Sequence, residues 1–293
     1  MDIIPESQLV LAKDGSIYHL RLHSHQLADD IILVGDPNRV ALVSFFFDEI
    51  EHQVSNRELV THTGFYKGKR ISVVSTGMGT DNIDIVVNEL DALANINLKT
   101  RKVNKELKSL NLIRLGTSGA LQADIPVGNS FVAGQYALGL DGLLYFYKGS
   151  EHIIEQDYTK AFITQTLWPR KFPSPYVVKA SEKLLKKLGE GCYQGITATA
   201  PGFYAPQGRS LRMKLAWNDM NHQIEGFTYK QNRITNFEME SSAIYGLSRL
   251  MGHHALTICV VIANRVTEQF SDNYLPDMKK LILQTLDRLV EVD

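Results

Sequence analysis

Cysteine is scarce: Cys192 and Cys259 are the only two in 293 residues, and both sit in apolar or strand-like text. Two thiols so placed support neither a disulfide framework nor a zinc site, so a reduced, cytoplasmic setting is expected. Net charge is nearly absent too, at −1, which excludes a general field for nucleic acid or an anionic membrane. Any bound anion should be small and held by a few placed arginines and lysines. Long apolar runs are missing as well. The longest strongly apolar stretch, residues 255–263, is far too short to cross a bilayer. The opening Met-Asp-Ile-Ile-Pro-Glu lacks the basic and apolar regions of a signal peptide. No targeting segment, membrane span, internal repeat or domain linker is expected.

What is present is the composition of an ordinary folded chain, 44% hydrophobic and 22% charged, long enough for one large α/β domain. Three apolar strands finish in glycine. Residues 31–34 run into Gly35-Asp36-Pro37-Asn38-Arg39, where Asp36 suits an N-cap and Pro37 the first helical turn, leaving Arg39 beside free backbone amides. Residues 71–76 run into Gly77-Met78-Gly79, and residues 64–69 look like the hairpin turn before them. A helix should follow, with Ile83, Val86, Val87, Leu90, Leu93 and Ala94 on one face, so that strand, loop and helix recur.

The chain is organised around the third of these strands, residues 112–120, Leu-Ile-Arg-Leu-Gly-Thr-Ser-Gly-Ala. It reads as a short strand stopping in a polar loop bracketed by Gly116 and Gly119, which allow positive φ and close approach of backbone amides to an anion. Arg114 adds a permanently charged fork, and Thr117 and Ser118 add hydroxyls. An ordinary turn would use the same glycines, so on this loop alone phosphate is one reading of two. No Gly-Lys-Ser/Thr follows, which excludes a Walker A loop.

Other segments are read in the same way. His19, His23 and His25 suit a surface better than a metal, because no carboxylate or cysteine pattern completes a ligand set. Residues 99–108 are strongly basic without interleaved aromatics, which favours a solvated insertion. Residues 129–133 read as a strand, 151–175 as a proline-rich connection, and a helical pattern resumes at Val177. A β-rich segment, 195–200, leads into Pro201-Gly202-Phe203-Tyr204-Ala205-Pro206-Gln207-Gly208-Arg209. That loop offers a ring, an amide and a guanidinium to a flat heterocycle, or else anchors itself by its aromatics. Asn236 to Ala243 should open a helix whose early carboxylates either suit its dipole or, at Glu240, accept hydrogen bonds from a ribose diol. A buried strand over 255–263 ends in Asn264-Arg265, and a last amphipathic helix carries Met278, Leu281, Ile282, Leu289 and Val290.

Taken in order, the Gly35–Arg39 loop, Ser75-Thr76-Gly77-Met78-Gly79, Arg114-Leu115-Gly116-Thr117-Ser118-Gly119, the Phe203–Arg209 loop and Phe237-Glu238-Met239-Glu240-Ser241 resemble the type I nucleoside phosphorylases, most closely the uridine phosphorylases. The resemblance runs from about His19 to the C-terminus. It implies a single three-layer α/β/α domain with a central mixed, partly barrel-like sheet. It further implies phosphorolysis of a pyrimidine nucleoside, with Arg114, Thr117 and Arg209 as catalytic residues. Phosphate would be held by Gly35, Arg39, Arg114, Gly116 and Thr117, with Arg57 reaching in from a neighbouring subunit. Ribose would lie on Met239 and Glu240, with His19 also supplied in trans. The base would meet Phe203, Gln207, Arg209 and Arg265.

Where purine enzymes of the family carry an aspartate, this sequence has Asn264, as uridine enzymes do. No metal or organic cofactor is implied, apart from a monovalent cation near Glu58. The unit would be a homodimer with shared sites, assembled into a hexamer. Residues 99–108 and 143–175 depart from the family pattern. A purine nucleoside phosphorylase and a hydrolytic relative are alternatives within the chemistry, and a non-catalytic nucleoside sensor is one outside it.

Overall fold

The computed structural model describes residues 3–291. Strands β1 (Asp30–Val34), β2 (Glu49–Asn56), β3 (Leu59–Tyr66) and β4 (Lys69–Ser75) precede a small hairpin of β5 (Ile96–Asn97) and β6 (Lys102–Val103). Next come β7 (Asn111–Ala120), β8 (Phe131–Gly139), β9 (Tyr176–Lys179) and β10 (Tyr193–Thr199). The last strands are β11 (Thr228–Tyr229), β12 (Asn232–Glu238), β13 (His254–Asn264) and β14 (Gln269–Phe270). The α-helices are α1 (Pro37–Ser44), α2 (Thr80–Asn95), α3 (Gln156–Gln165), α4 (Glu182–Leu188), α5 (Met220–Glu225), α6 (Ser241–Met251) and α7 (Leu275–Val290).

The expected mixed, partly barrel-like sheet is present. Its order is β11-β12-β10-β8-β13-β7-β1-β4-β3-β2, and an extra pairing of β12 with β7 turns five strands back on themselves. Parallel ladders join β4, β1, β7 and β13, which are buried on both faces as continuous Ile, Leu and Val runs dictate. Helix α6 packs on β13 and β8 and against α2, while α4 and α7 pack together and on β13.

Several local expectations are corrected. Strand β7 does not stop at Gly116; it continues through Ala120 because β13 is equally long and pairs with it up to Asn264. The hairpin turn is Lys67-Gly68, both at positive φ (48° and 80°), as a two-residue turn requires. Gly64 instead lies inside β3, where a Cβ would stand 2.1 Å from the Glu49 carbonyl oxygen. Val177 and Val178 belong to β9, which pairs with β8, and the helix begins only after Ser181, whose hydroxyl accepts from Leu184 N–H. The stretch read as a connection contains α3, anchored by buried Tyr158 and Phe162. Asn236 to Glu238 finish β12, so α6 starts at Ser241. The basic insertion folds as the β5–β6 hairpin. It holds the N-terminal arm, because Arg101 accepts from Ile4 N–H through its carbonyl and donates through Nη1 to the Leu9 carbonyl.

Candidate active site

Strands β7, β1 and β4 are parallel neighbours, so their C-terminal ends lie side by side, the usual place for a ligand in such sheets. Asp36 caps α1 by accepting from Asn38 N–H at 2.9 Å, which fixes Arg39 in the first turn. Arg39 is buried and donates through Nη1 to the Leu115 carbonyl of β7 at 3.4 Å. Beside that carbonyl lies the buried Arg114. Its Nη2 pairs with Glu240, its Nη1 lies 3.6 Å from Glu238 and donates to Cys259 Sγ at 3.5 Å, and its Nε has no partner. Gly116 makes room for this: a Cβ there would stand 1.9 Å from Arg114 Nη1.

The carboxylates tie the helix ends to the arginine. Glu240 accepts from Gly79 N–H at 2.8 Å, which links the start of α2 to Arg114. Glu238 accepts from Glu240 N–H and Ser241 N–H at 2.9 Å and from the Thr199 hydroxyl at 2.6 Å, so it caps α6. Burial works against the Arg114 charge, yet Glu240 and Glu238 outweigh it and hold the guanidinium above its ordinary pKa. Burial also raises Glu238, against the pull of Arg114 and with the repulsion of Glu240. Cys259 is pushed up to about 12 by burial and stays a thiol.

A second cluster forms in the loop after β10. Arg209 folds back so that Nη1 donates to the Phe203 carbonyl and to Gln207 Oε1, both at 2.6 Å, with its Cζ 3.8 Å above the Phe203 ring. Arg265 donates through Nη2 to the Gln207 carbonyl at 3.0 Å. Asn221 fits between them with its nitrogen on the Gln207 carbonyl (3.2 Å) and its oxygen on Arg265 Nη2 (3.0 Å). Arg265 Nη1 is buried without a partner. Burial, and then the nearby Arg265, lower Arg209 to about 10, and burial lowers Arg265 as well. Two guanidiniums around one amide leave surplus donors facing inward, an environment made for an acceptor-rich ring edge. The Arg265 stem packs 3.8 Å from the Cβ position of Gly119, so both clusters adjoin β7.

The family model described as Phosphorylase superfamily matches residues 29–291. The chain belongs to that superfamily. It is 32% identical to a uridine phosphorylase of Thermococcus kodakarensis over 88% of this chain and 81% of that protein. It is 26% identical to a DeoD-type purine nucleoside phosphorylase of an Exiguobacterium species over 94% of this chain and 98% of that one. A solved Trypanosoma brucei nucleoside phosphorylase, described as showing uridine phosphorylase activity, superposes with a TM-score of 0.87 at 30% identity, covering 97% of this chain and 100% of the other.

In this phosphorylase Arg39, Arg114, Gly116 and Glu240 converge, Gly35 lies against Gly77, whose carbonyl oxygen is 3.5 Å from its Cβ position, and Phe203, Gln207, Arg209 and Arg265 form the second group. Met239 is half-buried between Glu238 and Glu240, and Thr117 is half-buried within β7 rather than on a loop. His19 and Arg57 lie together on another patch. Glu89 of α2 accepts from His19 Nδ1 (2.6 Å) and His19 N–H (3.0 Å), and Asn56 donates to the His19 carbonyl at 2.8 Å. Arg57 is exposed at φ 54° and makes no ion pair among the described residues. Glu58 beside it reaches within 3.3 Å of the Cβ position of Gly77.

Asn264 does not face the base cluster with a free amide. Its nitrogen donates to the Gln122 and Ile125 carbonyls at 2.9 Å, and its oxygen accepts from Val266 and Thr267 N–H. The site also uses groups that the sequence did not single out as site residues: Thr199, Cys259 and Asn221. Only the Cys259 position, opposite Gly116 on the neighbouring strand, follows from pairing the two apolar runs.

Proposed function

We propose that this phosphorylase cleaves uridine with inorganic phosphate, giving uracil and ribose 1-phosphate. The observation that carries the choice of base is the Gln207, Arg209 and Arg265 cluster with its unpaired buried donor. Uracil presents two carbonyl oxygens and one N–H at its edge. An amide that donates and accepts, beside guanidiniums that only donate, matches that edge. In the reaction a phosphate oxygen attacks C1′ while the C1′–N1 bond breaks. The bonding electrons leave with the base and spread over its ring nitrogen and oxygens. Arg209 and Arg265 stabilise that anion by charge-assisted hydrogen bonds, so no general acid is needed.

Arg39 and Arg114, with the Gly35 loop, Gly116 and Thr117, fix the phosphate below the sugar, while Met239 and Glu240 hold the ribose. Positioning and charge complementarity supply the acceleration. Arg57 and His19 complete the site of a neighbouring subunit in a homodimer unit, itself part of a hexamer. A monovalent cation beside Glu58 belongs to the same reading, as do a cytoplasmic setting, a single catalytic domain spanning the chain and the absence of any organic cofactor.

A purine preference is the second reading, favoured by the DeoD-type relatives. Against it stands Asn264, whose amide is spent on four backbone groups and offers no proton to a departing purine. Release of free base from uridine, thymidine, inosine and adenosine, with and without phosphate, tests the proposal. Uridine cleavage that requires phosphate is expected. Faster inosine cleavage, or cleavage that ignores phosphate, would overturn it.

A further inference from the structure

Against the base loop, and lined by neither Gln207 nor Arg209, the structure holds a cavity of about 200 Å³. Its walls are Trp168, Phe172 and Trp217, with Pro201 and Pro206 of the base loop and Leu140 as floor. The three rings meet edge to face or tilted, at centroid distances of 5.5 Å, 5.6 Å and 6.2 Å. Trp168 Nε1, the natural hydrogen-bond donor of such a wall, is already given to the Pro173 carbonyl at 2.9 Å. The lining is mostly rings and aliphatic carbon, and Trp217 Nε1 is its one indole donor with no acceptor among the described residues.

Those features select a ligand class. The recess is open at the Ala216 rim, and its volume, somewhat above the roughly 150 Å³ that takes up benzene in a closed apolar cavity, has room for a single substituted ring. With no charged side chain and few polar atoms in its lining, it disfavours a sugar or a phosphate, each of which would lose most of its hydrogen bonds to water on entry. Flat aromatic guests gain instead, because ring edges and faces in such an arrangement complement another ring. The geometry points to a binding site for a small apolar aromatic molecule of one ring, separate from the phosphate and base clusters. A guest there touches Pro206, and the next residue is Gln207, which holds Arg209 and is held by Arg265. Occupancy is thereby coupled to the base cluster, a clause that rests on the uridine reading.

The test uses a convenience of the sequence: the chain has only two tryptophans, and both line this cavity. The full-length protein is titrated with toluene while tryptophan emission is followed. A saturable change is expected. It should be lost in Ala216→Phe, which places a ring at the exposed rim, and in Leu140→Phe, which fills the floor. Ala216 is exposed, so its replacement keeps the comparison valid even where Leu140→Phe fails to fold. No saturable change up to the solubility limit of toluene, or filled variants that respond like the parent, overturns the site. Methylcyclohexane binding as tightly as toluene overturns the aromatic class. At saturating toluene the uridine KM should move at least threefold with the phosphate KM unchanged; an unmoved uridine KM overturns the coupling. The emission measurements need no turnover, so their failure is distinct from a failure of the uridine reading.

Discussion

Arg209 is held in its place by unequal partners: a carbonyl, an amide oxygen and the face of Phe203, with the positive Arg265 nearby. None of these neutralises it, so its charge remains available to a ligand. Arg209→Ala removes that charge and also loosens Gln207. The uridine kcat/KM should fall at least about tenfold, or 1.4 kcal/mol, while the phosphate KM stays near the parent value. Steady-state kinetics with each substrate varied in turn decides it, and retained uridine activity would remove Arg209 from the base site. Asn264, one residue before Arg265, illustrates the opposite case. Its four hydrogen bonds to backbone make it a brace between loops, and an aspartate there would face two carbonyls with a carboxylate.

Strand β7 is the element on which both clusters depend. Its Gly116 is a place where one atom matters, because the Cβ of an alanine would collide with Arg114 Nη1, the far end of a flexible side chain. To clear it the guanidinium must swing away from Glu240 and Glu238, which leaves two buried carboxylates without their cation. Gly116→Ala should therefore lower kcat/KM for phosphate by about tenfold or more. The melting temperature should fall as well, because unpairing buried charges costs about 3–5 kcal/mol, and each kcal/mol is worth roughly 2–4 °C in a large domain. Unchanged phosphate kinetics in folded protein would mean that Arg114 does not bind it.

What was legible along the chain follows the same logic. Residues 31–34 and 255–263 read as strands because burial on both faces demands unbroken apolar text, and Asp36-Pro37 reads as a helix start because capping is local. The course of β7 beyond Leu115 was not legible, since Gly-Thr-Ser-Gly extends only because β13 runs beside it. Strand β9 takes its partner from β8, some forty residues away, and α3 buries only a short face of Tyr158, Thr159 and Phe162. The arginines of the site could be read from their motifs. Which of them pair with which carboxylate could not, because Glu238 and Glu240 meet Arg114 only across the closed sheet.

At the scale of the whole molecule, His19 and Arg57 form one patch, held to α2 and β2, while Arg39 and Arg114 form another around the strand ends. If each patch serves a different subunit, two defective chains can share one intact site. Mixing inactive Arg57→Ala protein with inactive Arg114→Ala protein should restore part of the activity. No recovery, with subunit exchange shown by mass spectrometry, would place the whole site within one chain.

The ring formed by β7, β12, β10, β8 and β13 has a bearing on how this protein loses its activity. A strand at the rim of an open sheet can detach alone, breaking a single ladder. Here each of the five is flanked on both sides, and Glu238, Arg114 and Asn264 are carried on three of them. Arg114 and the carboxylates that hold it therefore have no loose end from which to unravel, whereas Phe203, Gln207 and Arg209 ride on a loop outside the ring. On heating, the Arg114 cluster should persist until the ring itself gives way, so that the loss of this cluster and unfolding are one event.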